Sequence, residues 1–303
     1  MFSIIIPTLN AERHIRRLLS VLNKQTIPIE VIVIDSASSD NTIKIAKSYG
    51  VKTITIKKED FDHGGTRNLA VNHATGNIIV FLTQDVMPAD DHTIERLTKP
   101  FYEDEKIGAT YGRQLPNPDA TFFASHLRIF NYQDSSYVKS LKNGDKGIKA
   151  PFLSNSLAAY RKSVLQEVGL FKGNLILAED TYVGAKILLA GYKLAYISDA
   201  MVYHSHNYTA LEEFKRYFDI GVFHKKEEWI MKTFGKAEGE GRRFIKSEIE
   251  LLLKNKKYHL IPEFLVRNIF KYSGFILGQN YERLPLNVIK KMSMNKNFWN
   301  KGK

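Results

Sequence analysis

Cysteine is absent from this chain. Disulfides, thiolate metal sites and a cysteine nucleophile are therefore excluded, and the composition fits a reducing compartment. Long apolar runs are absent too. The opening Met1-Phe2-Ser3-Ile4-Ile5-Ile6-Pro7 is too short for a secretory h-region and has no basic segment before it, so no leader is expected. The best candidate for a membrane span, 261–277, is interrupted by Pro262, Glu263, Arg267, Asn268 and Lys271. No internal repeat, low-complexity tract or recognisable nucleic-acid-binding motif occurs, and no nucleic-acid partner is expected.

The 303 residues suffice for one large domain, or for one domain with a helical appendage. The net charge of +12 is unevenly placed. Residues 1–210 carry 24 Lys and Arg against 21 Asp and Glu, while residues 211–303 carry 20 against 11. The basic surplus thus sits in the last third. It suits either a polyanionic or lipid partner or a solvated helical surface.

The first half alternates strand-like and helical patterns. Ser3–Pro7, Glu30–Asp35, Val51–Ile56 and Ile78–Leu82 read as strands rich in β-branched residues. Between them, 11–24 shows helical apolar spacing through Ile15, Leu18, Leu19 and Leu22, a second helix follows Ser39 or Asp40, and a third spans Thr66–His73. This rhythm predicts βαβ units, a mostly parallel sheet and ligands at the carboxyl ends of its strands. Later, a short strand at Ala158–Tyr160, a helix over Asp180–Ala190 and two strands at Lys193–Ile197 and Ala200–Tyr203 are expected. Beyond Thr209 the pattern is helical, with Leu265, Ile269, Tyr272 and Ile276 forming one apolar stripe.

Five features carry candidate chemistry. Phe61-Asp62-His63-Gly64-Gly65-Thr66-Arg67-Asn68 joins two glycines, which permit positive φ and close ligand approach, to an arginine fork suited to phosphate. Asp35 follows the second strand, where a carboxylate can accept from a base N–H or a ribose hydroxyl. Asp85, after Thr83-Gln84, can bind a divalent cation. Glu179 and Asp180 open a helix. His204 and His206, at i and i+2 on an extended segment, point to one side and suit Mn²⁺-like ions better than Mg²⁺. Singly, each also fits a plain structural role as a turn, a helix cap or a packed side chain.

Together they resemble a known family. The order Ile5-Ile6-Pro7-Thr8-Leu9-Asn10, Val33-Ile34-Asp35-Ser36-Ala37-Ser38-Ser39-Asp40, Arg67-Asn68, Asp85 and Glu179-Asp180 is similar to glycosyltransferase family 2, inverting enzymes of the GT-A fold. Within it, the Phe61–Asn68 segment, Thr83-Gln84-Asp85 and His204-Ser205-His206-Asn207-Tyr208 resemble bacterial rhamnosyltransferases, which use dTDP-β-L-rhamnose. The resemblance covers residues 1–210. It implies a GT-A nucleotide-sugar-binding and catalytic domain there and a basic helical region over 211–303. It implies that Pro7, Thr8 and Asp35 hold the nucleoside, that Gly64, Gly65, Arg67 and Asn68 line the diphosphate and sugar, and that Gln84 and Asp85 lie beside ribose and metal. Asp180 would be the general base with Glu179 its neighbour, and His204 or His206 would join Asp85 at Mg²⁺ or Mn²⁺. Where the family usually places two carboxylates one residue apart, this chain has Thr83, so only Asp85 can coordinate.

The implied activity is inverting transfer of L-rhamnose to a hydroxyl of a lipid-linked glycan in surface polysaccharide synthesis, at the cytoplasmic face of the cell membrane. Transfer of another sugar from a UDP donor, and a non-catalytic assembly role on the same fold, stay open. For the last third, Phe264, Phe270, Phe275 and Trp299 interleave with Arg267, Lys271, Lys290 and Lys291, a pattern suited to a peripheral membrane contact, to packing on the catalytic domain or to a homo-oligomer interface.

Overall fold

A computed structural model describes residues 1–235 and 239–300 of the chain. The elements run β1 (Phe2–Thr8), α1 (Glu12–Leu22), β2 (Ile29–Asp35), α2 (Thr42–Ser48), β3 (Lys52–Thr55), α3 (His63–His73), β4 (Ile78–Leu82), β5 (Met87–Pro88), α4 (Thr93–Thr98), α5 (Pro100–Glu103) and β6 (Ile107–Leu115). They continue with α6 (Phe122–Asn131), β7 (Tyr137–Lys139), β8 (Leu157–Arg161), α7 (Lys162–Glu167), α8 (Glu179–Leu189), β9 (Lys193–Tyr203) and the helices α9 (Ala210–Lys226), α10 (Glu228–Phe234), α11 (Glu240–Lys254), α12 (Ile261–Gln279) and α13 (Leu286–Met292).

The strands form one sheet in the order β3-β2-β1-β4-β8-β6-β9-β5, with β7 on β9. β3, β2, β1 and β4 are mutually parallel, as the βαβ rhythm requires. β8 then inserts antiparallel between β4 and β6, and β5 and β7 pair antiparallel with β9. The sheet is therefore mixed rather than mostly parallel. The middle strands are joined by long irregular segments, which impose no parallel crossover. Lys193–Tyr203 is a single strand and not two. It shifts register against β6 near residue 113, which accounts for the apparent break around Asp199.

Apolar side chains fill both faces of the sheet. One core gathers Ile4, Ile6 and Val33 with Ile15, Leu18, Leu19 and Leu22 of α1. The other joins Ile5, Ile32, Phe81 and Tyr160 to Phe218, Val222 and Phe223 of α9 and Ile289 of α13. The C-terminal helices are thus continuous with the core beneath the sheet. Of the 211–303 region, residues 236–238 and 301–303 lie outside the described residues.

α9 and α12 cross with backbones in contact. A Cβ on Gly278 would lie 2.0 Å from the Phe218 carbonyl oxygen, so no larger residue fits there. This crossing fixes which face of α12 turns inward. The inward side carries Phe264, Arg267, Lys271, Gly274 and Gly278. Arg267 and Lys271, whose pattern suited a membrane surface, packing on the catalytic domain or a subunit interface, are buried against Glu213 of α9 at 3.2 and 3.5 Å. Phe264 is buried, and Phe270, Phe275 and Trp299 are half-buried. The stripe Leu265, Ile269, Tyr272 and Ile276 faces solvent.

Candidate active site

The carboxyl ends of β1 and β2 place Thr8 beside Asp35. The Thr8 hydroxyl donates to Asp35 Oδ1 at 2.9 Å, and the Ser38 amide donates to Oδ2 at 2.8 Å. Pro7 lies on β1 beside Ile34 of β2. Gln84 reaches back to the same ends: its Oε1 accepts from the Leu9 amide and its Nε2 donates to the Leu9 carbonyl. Its amide therefore ties the β4 end to the β1 end.

The glycine pair does not form a loop. Gly64 and Gly65 sit in the first turn of α3, capped by Asp62, whose Oδ1 accepts from the Gly65 amide at 2.6 Å. Neither has positive φ. The need for glycine lies elsewhere: a Cβ on Gly64 would stand 2.2 Å from the Lys172 carbonyl oxygen. The second carboxylate oxygen of Asp62 accepts from the Asn174 amide at 2.8 Å. Asn68 likewise exchanges hydrogen bonds with the Phe171 backbone in both directions. α3 thus clamps the segment leading to α8. His63 lines the cleft at the start of this turn.

That segment delivers the acidic pair. Leu175, Ile176 and Leu177 are buried, and Ala178 takes a left-handed conformation with φ of 61° before α8 begins. Such strain in a residue with a Cβ persists only where surrounding contacts enforce it. Glu179 is buried and meets Arg67 Nη1 at 3.2 Å, while the Asn155 side chain donates to its Oε1 at 3.1 Å. Asp180 is half-buried and accepts at its two oxygens from the Asn155 and Thr181 amides, at 3.1 and 2.7 Å.

The two carboxyls differ sharply in proton affinity. Burial acts to raise Glu179, but Arg67, His63 and the Asn155 amide overcome it and hold the group ionised. Asp180 is pushed up to about 7, first by burial and then by the charge of Glu179 beside it. Burial pushes the His63 imidazole down. The environment thus pushes the two carboxyls apart, Glu179 down and Asp180 up, the pattern of divided roles.

Across a cleft of about 710 Å³ lies a second cluster. His204 Nε2 is 3.4 Å and His206 Nε2 is 3.7 Å from Asp85 Oδ2, and one ligand atom from each of the three lies within 4.8 Å of the others. Gln114 anchors the His204 ring. Its Oε1 accepts from Arg128 Nη1, which can only donate, at 2.8 Å, so His204 Nδ1, also at 2.8 Å, must donate to the same oxygen. His204 Nε2 then faces the Asp85 carboxylate. Burial pushes His206 down to about 4, leaving that ring neutral. Two imidazoles and a carboxylate converging on one point, with the far ring nitrogen of His204 anchored, are a donor set suited to a divalent cation.

The cleft brings together Arg67, Asp85, Glu179, Asp180, His204 and His206. Pro7, Thr8, Asp35, Gly64, Gly65, Asn68 and Gln84 are not among the residues lining it. Sequence reasoning missed Asn155, Gln114 and Arg128. Asn155 stands alone in Ser154-Asn155-Ser156, and no pattern distinguishes it; Arg128 follows the helical period of α6 and reads as a surface residue.

A mixed sheet with Asp35 at the carboxyl ends of β1 and β2, a cluster of Asp85, His204 and His206 and an acidic pair opening α8 is the arrangement of the GT-A class of glycosyltransferases. The chain belongs to glycosyl transferase family 2, whose model matches residues 3–169. It is 47% identical over 98% of its length to the O-antigen chain rhamnosyltransferase RfbN of Salmonella typhimurium, covering 96% of that protein. It is 45% identical over 99% of its length to the O-antigen chain rhamnosyltransferase WbaN of Salmonella anatum, again covering 96%. Among solved structures, it is similar to a mannosyltransferase from Pyrobaculum calidifontis in complex with GDP-mannose and Mn²⁺, with a TM-score of 0.65 over 93% of this chain and 88% of that one, at 16% identity. It also resembles TarS of S. aureus in complex with UDP-GlcNAc, with a TM-score of 0.55 over 93% of this chain and 91% of that one, at 18% identity.

Proposed function

We propose that this glycosyltransferase moves L-rhamnose from dTDP-β-L-rhamnose, with inversion, to a hydroxyl of a lipid-linked glycan at the cytoplasmic face of the membrane during surface polysaccharide synthesis. The transferred sugar and the polymer class follow the names of its relatives, O-antigen chain rhamnosyltransferases. The observation that carries the chemistry is the raised proton affinity of Asp180 beside an ionised Glu179.

Inversion requires one base, placed to take the acceptor proton as the oxygen attacks the anomeric carbon. A base works best when its proton affinity lies near the working pH. Asp180 has that affinity, and its two backbone hydrogen bonds hold the carboxylate still while further lone pairs face the cleft. Glu179 serves as a fixed charge, and Arg67 serves chiefly to keep it ionised. The bond from the sugar to the β-phosphate breaks as the new glycosidic bond forms, so no covalent enzyme intermediate is needed.

Asp85, His204 and His206 would hold Mn²⁺ or Mg²⁺, with Gln114 and Arg128 orienting His204. When bound, such an ion neutralises charge on the departing diphosphate. Thr8 and Asp35, linked to each other, would receive the nucleoside, and residues 1–210 would bind donor while the cleft-lining side chains of α9 serve the acceptor side. Gln84, Asn68 and the Gly64-Gly65 turn set the positions of these groups through backbone contacts.

The test is a donor panel. Purified protein with a lipid-linked acceptor from a matching glycan should transfer rhamnose from dTDP-β-L-rhamnose, detected by mass spectrometry, and nothing from UDP-glucose or UDP-N-acetylglucosamine. Preferred turnover of a UDP-sugar would replace the donor reading. Absence of turnover with every donor would favour a non-catalytic role.

A further inference from the structure

α12 is turned inside out for a surface helix. Its only charged residues, Glu263, Arg267 and Lys271, fall at successive i, i+4 positions, and the two cations face inward. Arg267 bonds Glu263, Glu213 and the Tyr208 carbonyl, and Lys271 pairs with Glu213. The opposite face bears Leu265, Val266, Ile269, Tyr272 and Ile276 and no charge at all. Leu265, Ile269 and Tyr272 are 53, 63 and 70% exposed. An ordinary surface helix keeps its apolar stripe toward the core, and a contiguous exposed stripe marks a contact surface.

The margin of this stripe indicates what covers it. The turn entering α12 carries Lys254, Lys256 and Lys257, all exposed, and no acidic residue occurs between Glu250 and Glu263. These lysines make no ion pair among the described residues. Tyr258 beside them is 57% exposed and, like Tyr272, presents an apolar ring with a polar tip. Apolar side chains on one helix face, tyrosines at its margin and unpaired lysines at one end match the layered chemistry of an anionic lipid surface. Among the described residues no helix is long and apolar enough to cross a membrane, so α12 would lie along the surface.

We propose that the outward face of α12, with Lys254, Lys256 and Lys257, docks the enzyme on an anionic phospholipid bilayer. The inward charges follow from the same arrangement, since Glu213, Glu263, Arg267 and Lys271 satisfy one another on the side away from lipid. The surface would meet the membrane that presents the acceptor, and to that extent it rests on the reading of a lipid-linked acceptor given above. Lys290 and Lys291, which sequence singled out, belong to α13 and not to this face.

Flotation of the full chain with vesicles tests it without donor or acceptor. The parent should float with phosphatidylglycerol-containing vesicles and much less with pure phosphatidylcholine. Ile269→Glu with Tyr272→Glu should reduce partitioning at least tenfold. Lys254→Gln, Lys256→Gln and Lys257→Gln together should reduce it by on the order of a hundredfold at low salt, about fivefold for each lysine, and less at high salt. All five positions are exposed, so thermal unfolding and rhamnose transfer to a detergent-solubilised acceptor should be unchanged. A parent that does not float, floats equally with neutral vesicles, or yields variants that float equally overturns the assignment. So does a dimer by light scattering that Ile269→Glu splits, which would give the face to a second copy. Because transfer is read in detergent, failure to float leaves the catalytic reading standing, and failure to transfer leaves the docking result standing.

Discussion

Replacing Glu179 by glutamine should move the pH dependence of the reaction. In the parent, burial and the charge of Glu179 beside it push Asp180 up to about 7. At 3.2 Å and an effective dielectric of about 20, the Arg67–Glu179 attraction is about 5 kcal/mol, so Glu179 stays ionised through the neutral range. Above pH 7 Asp180 is a carboxylate and can accept the acceptor proton. Below it the base is protonated, and kcat/KM should fall about tenfold per pH unit. Glu179→Gln removes the charge that raises Asp180 and frees Arg67 to lower it. The acid limb should then move down by about 1–2 pH units, with a lower plateau because the base is weaker. A stranded Arg67 could disturb folding, so the double variant Arg67→Gln, Glu179→Gln serves as control. It removes one raising and one lowering influence, and its limb should shift down by less than in the single variant. The assay is initial-rate kcat/KM from pH 5 to 9 under acceptor-limited conditions, with thermal unfolding followed alongside. A parental limb near 4, or a limb at 7 that Glu179→Gln leaves in place, would refute the electrostatic origin of the base.

Three further outcomes follow from the geometry. Chelation should depress transfer, Mn²⁺ or Mg²⁺ should restore it, and Gln114→Leu, which releases His204 Nδ1, should weaken Mn²⁺ binding about 10–100-fold by titration. Gly64→Ala drives a methyl group into the Lys172 carbonyl, so chemical denaturation should show a loss of about 1–3 kcal/mol together with reduced turnover. Glu213→Gln leaves Lys271 buried without its partner and Arg267 with one fewer, and should cost about 3 kcal/mol in the same measurement.

Much of the donor half was legible in the sequence because parallel strands buried on both faces read as unbroken β-branched runs. Asp35 and Asp85 could be placed just past such runs, and Asp180 at a helix start, without knowing the sheet order. What could not be read depended on partners distant along the chain. Asn155 reaches Glu179 and Asp180, and Gln114 reaches His204, only after β8 and β6 assemble between β4 and β9. The Gly64-Gly65 pair was recognised as a close approach, and the backbone that crowds Gly64 is that of Lys172, far along the chain. In α12 the helical period was plain, but the face that turns inward was not. Hydropathy alone turns Leu265 and Ile269 inward; the backbone contact at Gly278 and the buried Glu213 turn Arg267 and Lys271 inward instead.

The most direct test of the central claim is Asp180→Asn. Asparagine preserves size, and its one side-chain oxygen can still accept from the Thr181 amide while the Asn155 amide loses its acceptor, so thermal unfolding is followed alongside to show that the fold persists. Calorimetric titration with dTDP-β-L-rhamnose should give an affinity equal to the parent's. Transfer measured under single-turnover conditions should fall by about two to four orders of magnitude, and the acid limb near pH 7 should vanish from what remains. Transfer within tenfold of the parent, with the limb retained, would show that Asp180 is not the base.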